Sequence, residues 1–267
     1  MECLGLGSSG PRIATLQREL RRRGFDPGEF DGQFGRGTDA ALRAFQRRVG
    51  LTADGLVGPN TVAALKMPSV ISNITLHDIL PMFPGTPQVN TQFHLPFVLK
   101  ALLDAELADK SMLLVALGTI RAEAASFQPV EEMVSPLNTS AGGHPFDEYD
   151  NRRDLGNLGA PDGERFKGRG FVQLTGRANY QLFSKVIGLG QLLVDDPDRA
   201  IDPEIAAMLL AAFLKDKEDP IRRALKEQDR AGVRKLVNGG NHGLEDFEDV
   251  LQRGQLLVPD EVRVQMV

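Results

Sequence analysis

The chain has 267 residues, 42% of them hydrophobic and 25% charged, with a formal net charge of −5. That balance describes an ordinary globular protein and excludes a disordered or fibrous one. No apolar run approaches the ~18 residues needed to span a bilayer, and the single cysteine, Cys3, excludes an internal disulfide. The N-terminal MECLGLGSSG lacks a basic region followed by a long apolar core, so no cleavable export signal is expected. His77, His94, His144 and His242 are scattered, without the paired spacing of metal ligands.

The charge is uneven. Residues 1–70 hold ten Lys/Arg against seven Asp/Glu, and the remainder holds 21 against 29. A basic front joined to an acidic rear predicts two units with different tasks. The run RELRRRG reads as a solvated helix face rather than a nucleic-acid patch.

The first unit contains a repeat. LQRELRRRGFDPGEFDGQFGRGTDAAL is echoed by FQRRVGLTADGLVGPNTVAAL, and both copies carry D-G-x-x-G-x-x-T, at Asp31 to Thr38 and Asp54 to Thr61. Asp-Gly makes a tight turn, because glycine tolerates positive φ. The threonine then falls where a helix N-cap is expected. Ile13, Leu16 and Leu20 recur at helical spacing, as do Ala41, Leu42 and Phe45. The pattern predicts a three-helix module over residues 1–66. It closely resembles the bacterial peptidoglycan-binding module, of the form LQ…L…G…DG.FG..T..A…FQ…GL..DG.vG..T, from about Leu4 to Leu65. The resemblance implies a wall-binding role.

Residues 67–73 read as a connector in a proline-rich stretch containing Pro68, Pro81, Pro84, Pro87 and Pro96, since proline breaks helices and stiffens linkers. From residue 74 the chain reads mainly helical. Ile74, Leu76, Ile79 and Leu80 fit one short helix, and FVLKALLDAELA and SMLLVALGTIRAEAAS are long candidates. NYQLFSKVIG, EIAAMLLAAFLKD, DPIRRALKEQ, AGVRKLV and LEDFEDVLQRGQLL follow. Only GFVQL has the character of a strand. On that strand Gln173, Thr175 and Arg177 would alternate onto one side, giving an amide and a hydroxyl suited to N-acetylated sugars. The aperiodic, glycine-rich stretch from Pro136 to Gly170 has the length of a functional loop.

Two carboxylates stand out. On a helical wheel Leu113, Leu117, Ile120 and Ala124 share a stripe and Glu123 lies at its flank. A carboxyl there would be partly desolvated, which favours the protonated form that a general acid needs. Glu132 follows nine residues later, beyond Pro129, which is expected to end the helix and let the chain turn back. A pair of carboxyls, one proton donor and one base, is what cleavage of a glycosidic bond commonly requires. Spacing does not choose between Glu132 and Glu131.

The order AE…F…EE, then KGRGFVQLTGRANY, then VNGGNHG resembles glycoside hydrolase family 19, the chitinase-related group, and most of all its branch in phage endolysins, over about Ile74 to Leu256. That resemblance implies a lysozyme-like α+β domain with a minor β element after the helical module, so the whole chain is expected to be mainly α. It implies Glu123 as general acid, Glu132 as the second carboxylate and Thr175 as the hydroxyl that helps hold the attacking water. Gln173, Asn179, Tyr180 and Asn238 are then expected to contact the sugar. The flanks Ala122 and AAS depart from the family pattern, and Asp147, Glu148, Asp150 and Asp154 are rival acids. Glu148 is the alternative base, since the second acid of plant chitinases lies further from the first.

The reading is a modular endolysin, a residue 74–267 hydrolase tethered by its module to peptidoglycan. It would cut the β-1,4 bond with inversion, its carboxyls roughly 6.5–9.5 Å apart. No metal or cofactor is implied, no nucleic acid or stable membrane association is expected, and a monomer that stays cytoplasmic until release to the wall fits the absent signal. The alternatives are a chitinase, a lytic transglycosylase and a non-catalytic wall-binding protein.

Overall fold

The computed structural model describes residues 4–65, 70–240 and 242–266. The chain divides into two compact units, Met1–Val70 with Met266–Val267, and Ile71–Gln265. Residues 67–69 of the expected connector lie outside the described residues. The architecture is mainly α.

The first unit is built from α1 (Pro11–Arg22), α2 (Arg36–Arg48) and α3 (Pro59–Ala64). Ile13, Leu16 and Leu20 of α1 pack with Ala41, Leu42 and Phe45 of α2, and Phe34 and Leu65 complete the core. The repeat has a buried polar rationale. Gln17 Nε2 donates to Asp31 Oδ1 (2.9 Å), the Gln33 carbonyl (3.0 Å) and Thr38 Oγ1 (3.0 Å), and its Oε1 accepts from the Gly32 N–H (3.1 Å). Gln46 repeats this on Asp54 (2.9 Å), Leu56 (3.0 Å), Thr61 (3.1 Å) and the Gly55 N–H (3.0 Å). Each turn is stapled by a glutamine one helix away. The threonines are therefore not N-caps. Gly35 caps α2 and Thr38 sits in its first turn, its hydroxyl engaged by Gln17.

The second unit begins within β1 (Val70–Ser72), a strand inside the segment read as a connector. Helix α4 (Leu76–Ile79) starts from a capping box of Thr75 and Asp78 and continues as a 3-10 turn, Leu80–Met82. Helix α5 (Gln88–Asp104) begins nine residues before the expected Phe97 and runs through Pro96. Proline there removes one backbone hydrogen bond, yet burial of Phe93, Leu95, Phe97 and Val98 on both sides of it outweighs that loss.

Helix α6 (Lys110–Glu123) starts from an Asp109 cap and is buried without interruption from Met112 to Ile120. It ends at Glu123, six residues before Pro129, so the proline does not terminate it. Beyond β2 (Val130–Glu131), the expected long loop contains α7 (Asp147–Asp150) and α8 (Asp162–Arg165). Strand β3 (Arg169–Gly170) pairs antiparallel with β2, Val130 opposite Gly170 and Glu131 opposite Arg169.

The extended GFVQL run does not form. Leu174 turns back onto Arg169, their N–H groups and carbonyls exchanging bonds at 2.9 and 3.2 Å. Gln173 takes φ 49 in that turn, so side-chain alternation fails. Helices α9 (Arg177–Val186), α10 (Leu192–Asp195), α11 (Pro203–Asp216), α12 (Glu218–Lys226), α13 (Arg230–Asn238) and α14 (Leu244–Leu257) follow. The chain closes with β4 (Val264–Met266), which pairs with β1. Helices α6 and α14 cross closely because Gly118 admits the Phe247 ring and Gly254 admits Leu114.

Candidate active site

Glu123 is the last residue of α6, with a side chain 12% exposed. The expected partial shelter is present, but so is a partner that the sequence did not suggest. Arg234 of α13 is fully buried and donates from Nη2 to Glu123 Oε1 at 2.6 Å. Its Nε donates to the His242 carbonyl at 2.7 Å. One edge of the Glu123 carboxylate is therefore held by a fixed cation, and Oε2 has no protein partner among the described residues.

Glu132 follows β2 and its backbone N–H extends that ladder to the Gly168 carbonyl at 2.8 Å. Its Oε1 accepts from Asn138 Nδ2 (3.0 Å) and from the Tyr149 hydroxyl (2.9 Å). Its Oε2 accepts from the Gly168 N–H (3.0 Å). A carboxylate offers about four acceptor positions, so three are filled and one remains for a water. Burial, with the hydrogen bond and charge of Glu132, pushes the Tyr149 phenol up to about 12, so it stays a protonated donor.

Glu131 turns elsewhere. It pairs with Lys167 (3.1 Å) and Arg169 (3.5 Å). Burial alone would raise its carboxyl, but the hydrogen bonds and charges of those two residues outweigh it and hold the group below the usual glutamate range. Glu148 is exposed on α7, and Asp147 and Asp154 are engaged by Ser140 and Arg152. Asp150 is buried, accepting from the Gly163 N–H at 2.8 Å and facing His144 at 2.9 Å.

A cleft of about 790 Å³ brings four of the sequence-nominated residues together, Gln173, Thr175, Asn179 and Asn238. Thr175 donates its hydroxyl to the Gln173 carbonyl at 2.8 Å, and Asn179 Nδ2 donates to the Thr175 carbonyl at 2.8 Å. The left-handed turn, not a strand, aims Gln173. Its Oε1 and Glu132 Oε2 both crowd the place of a Cβ on Gly168, at 2.8 and 3.1 Å. Neither Glu123 nor Glu132 is among the residues lining this cleft: Glu132 lies beside Gln173 at Gly168, and Glu123 is tied by Arg234 to α13, whose Gly232 and Lys235 to Asn238 line it.

Tyr180 differs from expectation. It is fully buried, donates to the Lys167 carbonyl (2.8 Å) and accepts from Arg169 Nη1 (3.1 Å), so its hydroxyl is committed inside the core. Arg177 pairs with Asp162 instead of facing the cleft. Sequence reasoning missed Arg234, Tyr149 and Asn138. A polar side chain carries no local signal of what it will meet across the fold, although Arg234, between Val233 and Leu236 on a short amphipathic helix, is a hint.

The N-terminal unit is a peptidoglycan-binding module by sequence. Residues 9–65 match the family described as "Putative peptidoglycan binding domain". The N-acetylmuramoyl-L-alanine amidase CwlM of Mycobacterium tuberculosis is 48% identical over 56 residues, 21% of this chain and 14% of that protein. A spore cortex-lytic enzyme of Bacillus cereus is 49% identical over 55 residues, 21% of each chain. The zinc D-Ala-D-Ala carboxypeptidase of Streptomyces albus G is 46% identical over 63 residues, 22% of this chain and 24% of that protein. The chain thus spans under a quarter of the length of these relatives. Among solved structures, chitinase C from Streptomyces griseus HUT6037 aligns at TM-score 0.49 and 19% identity over 69% of this chain and 76% of that one. The Burkholderia AP3 phage endolysin aligns at TM-score 0.33 and 17% identity over 96% and 100%.

Proposed function

We propose that the chain is a modular peptidoglycan hydrolase of the endolysin type, in which residues 1–66 grip the wall and residues 74–267 cut the β-1,4 glycosidic bond. The observation that supports the reading is that two carboxylates are each fixed by dedicated partners, Glu132 next to Gln173 and Glu123 through Arg234 of α13, and that Gln173 and α13 both line one cleft. Glu123 delivers the proton to the leaving oxygen from Oε2, the oxygen that Arg234 leaves unoccupied. Glu132, oriented by Tyr149, Asn138 and Gly168, activates water with the help of Thr175, and the anomeric configuration inverts. Gln173, Asn179 and Asn238 bind N-acetyl and hydroxyl groups along the cleft. The module supports wall attachment, which raises the local concentration of substrate. Its relatives carry different activities in their names, an amidase and a carboxypeptidase among them, so the shared segment speaks for attachment and the cleft must supply the reaction. Action on the wall follows from that attachment.

Digestion of purified peptidoglycan tests this. New reducing ends without new free amino groups support the reading. New amino groups alone assign the chain to amidase or peptidase chemistry, and 1,6-anhydro ends assign it to a transglycosylase.

A further inference from the structure

We infer that the cleft carries a second subsite, for a carboxylate borne by the muramyl side of the glycan, built on the wall formed by α11 to α13. The inference rests on the cleft being the glycan site. Gln173, Thr175 and Asn179 line the cleft without charge. Lys217, Phe213 and Lys235, from α11 to α13, also line it. Lys217 lies over the Phe213 ring, its Nζ 5.2 Å from the centroid, a contact that orients the ammonium without neutralising it.

Neither lysine makes an ion pair among the described residues, whereas Lys215 is tied to Glu218 at 2.8 Å and Lys167 to Glu131 at 3.1 Å. Asp229 also lines this wall, but its Oδ1 caps α13 by accepting from the Gly232 N–H at 2.8 Å. The lining charges therefore sum to a positive cleft, on a chain whose residues 71–267 hold 21 Lys/Arg against 29 Asp/Glu. Lys185 and Lys226 are likewise without an ion pair among the described residues, but Lys217 and Lys235 are the two that line the cleft.

A polymer of N-acetylglucosamine has no anion to offer them. Muramyl units do, through the peptide stem or, once the stem is removed, through the lactyl carboxyl. The subsite therefore selects wall glycan over chitin by charge. Partly exposed ammoniums attract an anion modestly and with salt sensitivity.

The test is a two-by-two comparison on the full-length protein. Soluble peptidoglycan strands are used as isolated and after amidation of their carboxyls, and each is digested by the wild type and by Lys217→Gln/Lys235→Gln. Amidation is expected to raise KM of the wild type about five- to tenfold, the size of two partly exposed charge contacts. The double variant is expected to lose this discrimination, and Lys217→Arg/Lys235→Arg to keep it. Stem-free strands separate the sources: discrimination that survives stem removal assigns the lactyl carboxyl, and discrimination that vanishes assigns the stem. A folded double variant that discriminates as strongly as the wild type overturns the subsite and leaves the proposed activity standing. So does a wild type indifferent to amidation. No new reducing ends with any strand overturns the proposed activity itself. If the double variant does not fold, the two single Lys→Gln variants enter the same comparison.

Discussion

Replacing Arg234 by methionine keeps most of the side chain's length and removes its charge. The guanidinium is fully buried, 2.6 Å from Glu123 Oε1 and 2.7 Å from the His242 carbonyl. Burying an arginine costs several kcal/mol, which the ion pair and the carbonyl bond offset. Breaking such a pair by removing one member costs ~3–5 kcal/mol, because the survivor is left sheltered without a countercharge. Here the survivor is Glu123, only 12% exposed. A domain's whole stability is about 5–15 kcal/mol, so the loss is large. The readout is selective, because the chain has no tryptophan and both of its tyrosines, Tyr149 and Tyr180, lie in the second unit. Urea unfolding followed by tyrosine emission therefore reports that unit alone. With a slope of about 2 kcal/mol/M the midpoint should fall by about 1.5–2.5 M. Arg234→Met/Glu123→Gln should recover part of the loss, since the stranded charge is gone. A midpoint for Arg234→Met within about 0.3 M of the wild type refutes the reasoning.

Gln17→Ala and Gln46→Ala each strip a buried turn of its staple and leave a glycine N–H unpaired, so each should cost the first unit about 2–3 kcal/mol by calorimetry; a loss below about 0.5 kcal/mol contradicts the role. Hydrogen bonds from Gln17 hold the Asp31 carboxyl below its usual range, and the Leu56 N–H and then Gln46 do so for Asp54. A lowered folded-state value means stability that is complete above the unfolded-state value and lost as pH falls through the folded one. Unfolding of that unit should therefore be flat from about pH 5 to 7 and weaken below about pH 4, a fall that Asp31→Asn/Asp54→Asn reduces. Gly168→Ala would put a methyl 2.8 Å from Gln173 Oε1 and 3.1 Å from Glu132 Oε2. Its glycan cleavage should drop by about 10- to 100-fold, since small misplacements of a reacting group cost that much, while tyrosine emission stays native-like. Full activity would mean that Glu132 needs no fixed position.

The legible parts are those set by local pattern. The repeat announces the first unit, and long apolar periodic stretches announce α6, α11 and α14, with Glu123 at the end of the first. What is illegible depends on distant partners. Gln17 and Gln46 look like solvated helix residues until the turns fold over them. The run GFVQL has the composition of a strand, but Gly170 at φ 86 and Gln173 at φ 49 turn it back on itself. Prolines before Phe97 suggest a late helix start, and tertiary burial around Pro96 reverses that. Strand β1 pairs with β4 nearly two hundred residues away, a contact no local window contains. Arg234 is invisible for the same reason, since its meaning lies in a carboxylate 111 positions earlier.

Muropeptide analysis after digestion by the wild type, Glu123→Gln and Glu132→Gln tests the two-carboxylate claim most directly. The wild type should give hydrolysed glycan with new reducing ends, and each folded variant should lose about 10²- to 10⁴-fold, the size of a general acid or base contribution. Wild-type rates in either variant contradict the claim.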